Sequence, residues 1–367
     1  MLSKEEKMAR LRLARSDMVG SYTFWSLINR YGSGEKALRA VTKSSHVIRS
    51  FELCDGEKIQ KEIEGMKSLG ARFVFFEDEL YPPLLRNTPD PPPVLSFLGD
   101  REKVLSLYKG NMISVVGARN ASIHANKFCH LLCQELSRRD VGVVSGLARG
   151  IDASAHGGSL ENGTIAVLAC GINIPYPQEN LGLYNEIAQK GGLFTEMPLD
   201  TAPQPQLFPR RNRIIAGISY GTVVIEAAEQ SGSLITARMA LEYDRDVFAV
   251  PGFPLDPRSV GCNRLIKDGA IMVQSVQDIL DHLENRKIIQ RTLFENKSAA
   301  ARPSDQDLEK IRKKIMDSLS STPITIDELI SSIKVSPGEA LGVLLELELA
   351  NKVVRLHGQR VCLALGD

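Results

Sequence analysis

The chain has 367 residues, 43% apolar and 24% charged, with 45 Lys and Arg against 44 Asp and Glu, a formal net charge of +1. This composition excludes wholesale disorder, and no apolar run reaches the length of about 18 residues that a membrane span needs. Near-neutrality excludes a uniformly basic coat for nucleic acid, so any polyanion site must be a local cluster acting over about 8–10 Å.

The six cysteines form no C-x-x-C pair, which argues against a zinc ribbon or a disulfide framework. The opening MLSKEEKMARLRLAR lacks the apolar core of a secretory signal. A reducing, cytoplasmic setting is expected.

Residues 1–88 read as a small helical domain, with helical patterns around Met8–Arg15, Phe24–Arg30 and Lys58–Ser68. Val19-Gly20-Ser21-Tyr22-Thr23 and the following stretch to Gly32 fit two arrangements. One is a helix-hairpin-helix turn offering backbone N–H groups to phosphate; the other is a packed helical hairpin with a Gly C-cap. Pro82, Pro83, Pro89 and Pro91–Pro93 predict an extended connector, with a domain boundary near residue 90.

From residue 111 the pattern changes. Short apolar runs at Met112–Val116, Val141–Val144, Thr164–Ala169, Gly192–Thr195, Thr222–Ala227, Asp246–Val250 and Ala270–Val273 alternate with amphipathic stretches. Unbroken apolar strands each followed by a helix predict a doubly wound, mostly parallel α/β sheet over residues 89–290. Residues 291–304 have linker composition. Residues 305–367 show three helical patterns and a strand pair, Val353–His357 and Val361–Ala364, which predict a winged helix.

Ligands of a doubly wound sheet bind at the carboxyl ends of its strands. The first strand is followed by Gly117-Ala118-Arg119-Asn120-Ala121-Ser122, where Ser122 can cap a helix and Arg119 can meet an anion. The second is followed by Ser145-Gly146-Leu147-Ala148-Arg149-Gly150-Ile151-Asp152, again a glycine loop with one arginine. Asp152 and His156 share a helix face, as an acid–base pair or as a helix-start acid beside a packed histidine.

Cys170 reads as a buried thiol, and Tyr176 between two prolines as a rigid loop residue or a stacking surface. Phe208-Pro209-Arg210-Arg211-Asn212-Arg213 predicts a helix starting at Pro209, with three arginines in its opening turn and Phe208 as a stacking platform. Cations there oppose the helix dipole unless an anion binds. Ser231-Gly232-Ser233 forms another donor-rich loop at a helix start. Neither G-x-G-x-x-G nor a P-loop is present, so no nucleotide cofactor is indicated. Donors spread over several strand ends suit a row of phosphates better than one.

These residues together resemble the DprA/Smf (DNA-processing protein A) family. Carrying the resemblance are Gly117-Ala118-Arg119, Ser145-Gly146-x-Ala148-Arg149-Gly150-Ile151-Asp152, Tyr176-Pro177, Phe208 through Gly217, Glu226-Ala227, Ser231-Gly232-Ser233-Leu234-x-Thr236-Ala237, Val250-Pro251-Gly252 and Gly261-x-Asn263. The resemblance implies an extended Rossmann-like fold, an N-terminal SAM-like or helix-hairpin-helix domain and a C-terminal winged helix. It implies a homodimer without cofactor or metal that binds single-stranded DNA and loads the RecA recombinase during natural transformation. It places phosphate contacts at Arg119, Arg149, Arg210, Arg211 and Arg213, with Phe208 nearby. The third winged-helix helix carries Glu339, Glu346 and Glu348, which favours a protein partner over DNA there.

Two other readings compete. A phosphoribohydrolase-type enzyme would need a P-G-G-x-G-T-x-x-E loop; the comparable stretch, Ser219 to Glu226, lacks the paired glycines and holds its Glu one residue late. A sensor of small phosphorylated ligands would use the same glycine loops.

Overall fold

A computed structural model describes residues 2–43, 52–284, 305–320, 322–333, 335, 337–350, 352–356 and 360–363. The chain divides into two units, Met1–Leu283 and Glu284–Asp367. The linker expected at 291–304 lies outside the described residues.

The first unit opens with helices α1 (Lys4–Ala14), α2 (Ser21–Tyr31), α3 (Gly34–Lys43) and α4 (Gly56–Ser68). Phe24, Ile28, Leu13, Val19 and Ala37 fill the core between the first three. Gly32 ends α2 in the left-handed region at φ 80°, the helix C-cap that the hairpin alternative requires. Glu6 of α1 caps α3, accepting from the backbone N–H groups of Gly34 and Glu35 at 2.7 and 3.0 Å.

Next come β1 (Arg72–Phe75), β2 (Val94–Gly99), α5 (Arg101–Leu107), β3 (Asn111–Gly117), α6 (Ile123–Arg138), β4 (Val141–Ser145) and α7 (Ile151–Ser159). They are followed by β5 (Thr164–Val167), α8 (Leu181–Lys190), β6 (Gly192–Thr195), α9 (Leu207–Ile218), β7 (Gly221–Ile225) and α10 (Gly232–Glu242). The unit closes with β8 (Asp246–Ala249), α11 (Val260–Lys267), β9 (Ile271–Met272) and α12, helical over 276–284.

The nine strands form one sheet in the order β1-β2-β6-β5-β4-β3-β7-β8-β9. All pairs from β6 to β9 are parallel; β1–β2 and β2–β6 are antiparallel. Both faces are covered. Cys129, Leu132 and Leu136 of α6, Ile151 and Ala155 of α7 and Ile279 of α12 pack on one side. Ile214 and Ile218 of α9, Ala237 and Ala240 of α10 and Cys262 of α11 pack on the other. Strands buried on both faces are largely apolar, which is why six of the runs read from the sequence coincide with β3 to β8; the seventh coincides with β9, a half-exposed strand at the sheet edge.

The expected boundary near residue 90 requires correction. The proline segment does not separate two bodies, because it folds back so that Phe75 of β1 pairs with Val94 of β2. Its carbonyls bind the surrounding groups: Pro91 accepts from Trp25 Nε1 and Pro92 from Tyr81 Oη, both at 2.8 Å. Prolines keep their acceptors while losing their donors, so such a segment can be buried when neighbours donate.

The second unit has α13 (Asp305–Ser318), β10 (Ile324–Thr325), α14 (Ile326–Ile333), α15 (Pro337–Leu349), β11 (Val353–Leu356) and β12 (Arg360–Leu363). Its strands pair antiparallel in the order β10-β12-β11. Ile315, Leu329, Val343, Leu347 and Val361 form its core. This is the expected arrangement of three helices and a hairpin. Glu346 of the acidic α15 is paired with Arg312 of α13 at 2.7 Å.

Candidate nucleic-acid interface

Strand order reverses between β3 and β7, since β3 leads to β4 on one side and pairs with β7 on the other. Loops leaving the carboxyl ends of such strands diverge and open a crevice. The crevice here holds about 800 Å³ and is lined by Arg119, Asp152, Tyr176, Phe208, Asn212 and Ser231 among others.

Its exposed Arg119 is organised by aromatic rings. The Arg119 guanidinium sits 4.7 Å from the Phe208 ring centroid, and Phe208 lies 5.9 Å from Tyr176. Stacking holds the guanidinium in place and leaves its N–H edge for an anion. Arg149, on the loop after β4, is about half exposed and pairs weakly with Glu179 at 3.5 Å. Asn180 braces that loop through the carbonyls of Leu147 and Ala148 at 2.9 and 3.2 Å. Arg210 is similarly exposed, 3.9 Å from Glu196.

Several residues expected to touch phosphate are engaged by the protein itself. The α6 N-terminus already holds an anion, because Glu226 accepts from Ser122 N at 2.8 Å and from Ser122 Oγ at 2.6 Å. Ser122 also caps α6 through Ala125 N at 3.0 Å, as expected of its residue type. With both oxygens so bound, Glu226 is a helix-capping carboxylate at the place where the sequence suggested a phosphate. Ser145 is fully buried and donates to Val115 O at 2.6 Å. Gly117 lines the crevice, and a Cβ there would overlap Ile225 O and the Ile151 side chain.

Arg211 and Arg213 turn inward. The helix begins at Leu207, two residues before Pro209, so the arginines lie beyond its first three positions. Arg211 is 5% exposed and donates from Nη1 to the carbonyls of Gly146 and Val167, tying the β4 and β5 strand ends together. Gly146 is glycine because a Cβ would occupy the place of that guanidinium. Arg213 is bound by Glu196 and by Asp90. Arg210 and Arg213, three apart, share a helix face and both meet Glu196, whereas Arg211 points into the strand ends; of the three, Arg210 is the exposed one.

The acid–base alternative for Asp152 and His156 also resolves. His156 is fully buried, with Nε2 accepting from Leu147 N at 3.3 Å and Nδ1 2.9 Å from Thr164 Oγ1. Burial, with the Arg211 charge adding to it, pulls its pKa down to about 3, so it is neutral. Asp152 accepts from Ala148 N at 3.3 Å; burial raises its pKa, and Arg211 and the loop N–H groups oppose this. Burial pushes the Cys170 thiol up to about 11, in keeping with an inert thiol.

At the α10 start Ser233, expected among the phosphate contacts, is buried, with its Oγ 2.7 Å from Ser231 Oγ. Ser231 caps the helix, accepting from Ser233 N at 3.3 Å, and Gly232 faces open space at the crevice wall. Sequence reasoning missed Asn212, whose Nδ2 reaches Gly232 O at 3.3 Å, and Arg258, which also lines the crevice. Nothing local to Arg258 signals this, since its place depends on β8 lying next to β7. Among the described residues, no group of three or more His, Cys, Asp or Glu is placed to hold a metal ion. None of their helices is long and apolar enough to cross a membrane.

The model of the DNA recombination-mediator protein A family matches residues 72–284, the whole sheet with its crevice. The chain belongs to the DprA/Smf family. A DprA-like N-terminal HHH domain matches residues 4–65 and a DprA winged helix domain residues 299–359. Protein Smf of Synechocystis is 32% identical over 90% of this chain and 87% of its own length. DNA processing protein DprA of Bacillus subtilis is 40% identical over 63% of this chain and 77% of its own. The X-ray structure of DprA from Streptococcus pneumoniae superposes with a TM-score of 0.64 at 30% identity, covering 77% of this chain and 98% of that one. DNA processing protein A of Helicobacter pylori, described for its single-stranded DNA binding mode, gives 0.53 at 27% identity over 59% and 97%. The DprA/Smf match starts at Arg72, so the family's sheet domain includes β1, in line with the corrected boundary.

Proposed function

We propose that this DprA/Smf protein binds single-stranded DNA across the ends of its parallel strands. The observation that carries this reading is the row made by spatial order. The adjacent strands β4, β3, β7 and β8 end in loops bearing Arg149, Arg119, Ser231-Gly232 and Arg258. Three strand spacings extend over about 14 Å, more than a single phosphate needs. The Arg119–Phe208–Tyr176 stack beside the row suits an unpaired base, which exposes a π-face that a duplex hides.

The family description, a recombination mediator, supports the further reading that the bound strand is passed to a RecA-type recombinase. We read the protein as a cytoplasmic homodimer that does this during natural transformation. Our reading is binding without catalysis; of the carboxylates and histidine that could serve an enzyme, Asp152, His156 and Glu226 are engaged in structural hydrogen bonds and Glu196 is paired with Arg213.

Fluorescence anisotropy of labelled oligo-dT, with duplex competitor, tests the reading. Single strands should bind in preference to duplex, and Arg119→Ala should weaken binding about 10-fold by removing a phosphate contact and the stacked cation. Equal binding by wild type and Arg119→Ala would overturn the placement of the site. Stabilisation by mononucleotides but not by oligonucleotides would favour the small-ligand sensor instead.

A further inference from the structure

The loop between β8 and α11 carries two large apolar side chains in water, Phe253 at 69% and Leu255 at 83% exposure. Single exposed apolar residues are ordinary, but these two stand on a braced loop at the mouth of the crevice. Its base is clamped by Asn263, which donates from Nδ2 to Gly252 O at 2.9 Å and accepts from Gly252 N at 3.1 Å. Its ends meet so closely that a Cβ on Gly252 would overlap Ser259. Within it Asp256 N donates to Phe253 O and Ser259 N to Asp256 O, both at 2.9 Å. Asp256 also grips Arg258, at 3.1 Å to Nε and 2.8 Å to Nη2. Pro251, Pro254 and Pro257 remove further freedom.

Arg258 lines the crevice, so this loop is continuous with the site, one strand position beyond β7 and on the side away from Phe208 and Tyr176. Two of the five guanidinium donors serve Asp256, and the others remain for an oxygen ligand. A rigid apolar pair beside an arginine, at the end of a row of anion-binding groups, has the composition of a base-stacking platform.

We propose that Phe253 and Leu255 form a second platform, which takes the bases of a single strand as its backbone leaves the crevice over Arg258. This rests on the single-strand reading above. Crevice and loop then divide the strand between them, so the two platforms answer to oligonucleotide length.

The test is anisotropy with oligo-dT of about 4 and about 16 nucleotides, the range of common single-strand site sizes. Phe253→Ala should bind the short oligonucleotide like wild type and lose about 5- to 150-fold on the long one, the effect of losing one base stack. Its salt slope should be unchanged, because no charge is removed. Phe253→Trp should keep the affinity, and its emission should be quenched by the long oligonucleotide relative to wild type, whose only tryptophan is Trp25. Equal affinities of Phe253→Ala and wild type at both lengths, without quenching in Phe253→Trp, would overturn the platform and leave the crevice reading intact. A change of oligomeric mass in Phe253→Ala, with long-strand affinity retained, would make the pair an interface between copies and also overturn it. Absence of single-strand binding by wild type would remove the underlying reading and the platform with it.

Discussion

Arg119 and Arg211 show how context divides one residue type between two tasks. Arg119 is exposed and stacked, and its loss should lower affinity while the fold persists. Arg211 is buried between two strand-end carbonyls with the Asp152 charge nearby. Arg211→Ala should destabilise the fold by about 3–5 kcal/mol, because it leaves buried acceptors and a buried carboxyl without their partner. Urea unfolding checks this; an unchanged midpoint with lost DNA binding would make Arg211 a ligand contact instead. His156 gives a pH signature. Its folded pKa of about 3 lies below the ordinary value of 6.5, so between these limits the unfolded chain binds the extra proton. Stability from this group is complete above about pH 6.5 and is lost as pH falls, at up to about 1.4 kcal/mol per unit. Asp152, raised above its ordinary 3.8, acts oppositely in its own window, losing stability as pH rises through it. The two are separated by His156→Asn, which should reduce proton uptake on unfolding at pH 5 by about one.

At the scale of elements, helix starts determine what each loop can hold. Three loops with similar sequences follow β3, β4 and β7. At the first, Glu226 fills the α6 N-terminus; at the second, Asp152 and His156 take the N–H groups of Ala148 and Leu147. At the third, the α10 cap is a neutral serine and Gly232 faces open space. The α10 start is therefore the loop whose dipole is not already met by one of these carboxylates. Ser231→Ala should lower stability by about 1 kcal/mol through loss of the cap, read as a reduced thermal midpoint. The sequence shows that each loop begins a helix. It does not show that Glu226, more than one hundred positions away, reaches Ser122, because that contact exists only once β3 and β7 are paired.

At the scale of the molecule, neutrality of charge and binding of a polyanion are reconciled by placement. The net charge is +1, yet Arg119, Arg149, Arg210 and Arg258 are the exposed arginines gathered around one edge of the sheet. Four phosphates neutralised on a single strand give a slope of log K against log salt of about −3. Affinity should fall about 60-fold between about 50 and 200 mM salt. A slope near zero would mean that these arginines meet no phosphates.

The sequence by itself determined the strands β3 to β9, the winged-helix unit and the identity of the strand-end loops, because unbroken apolar runs, caps and glycine turns are local signals. It could not show β1 and β2, whose pairing spans the proline segment, nor which arginines turn inward. Those were decided by tertiary structure. A side chain's charge is written in the chain, but its direction and its partners follow from which strands lie side by side. Arg213 faces Glu196 and Asp90, Arg211 faces two carbonyls, and Arg119 faces an aromatic ring and water for that reason alone.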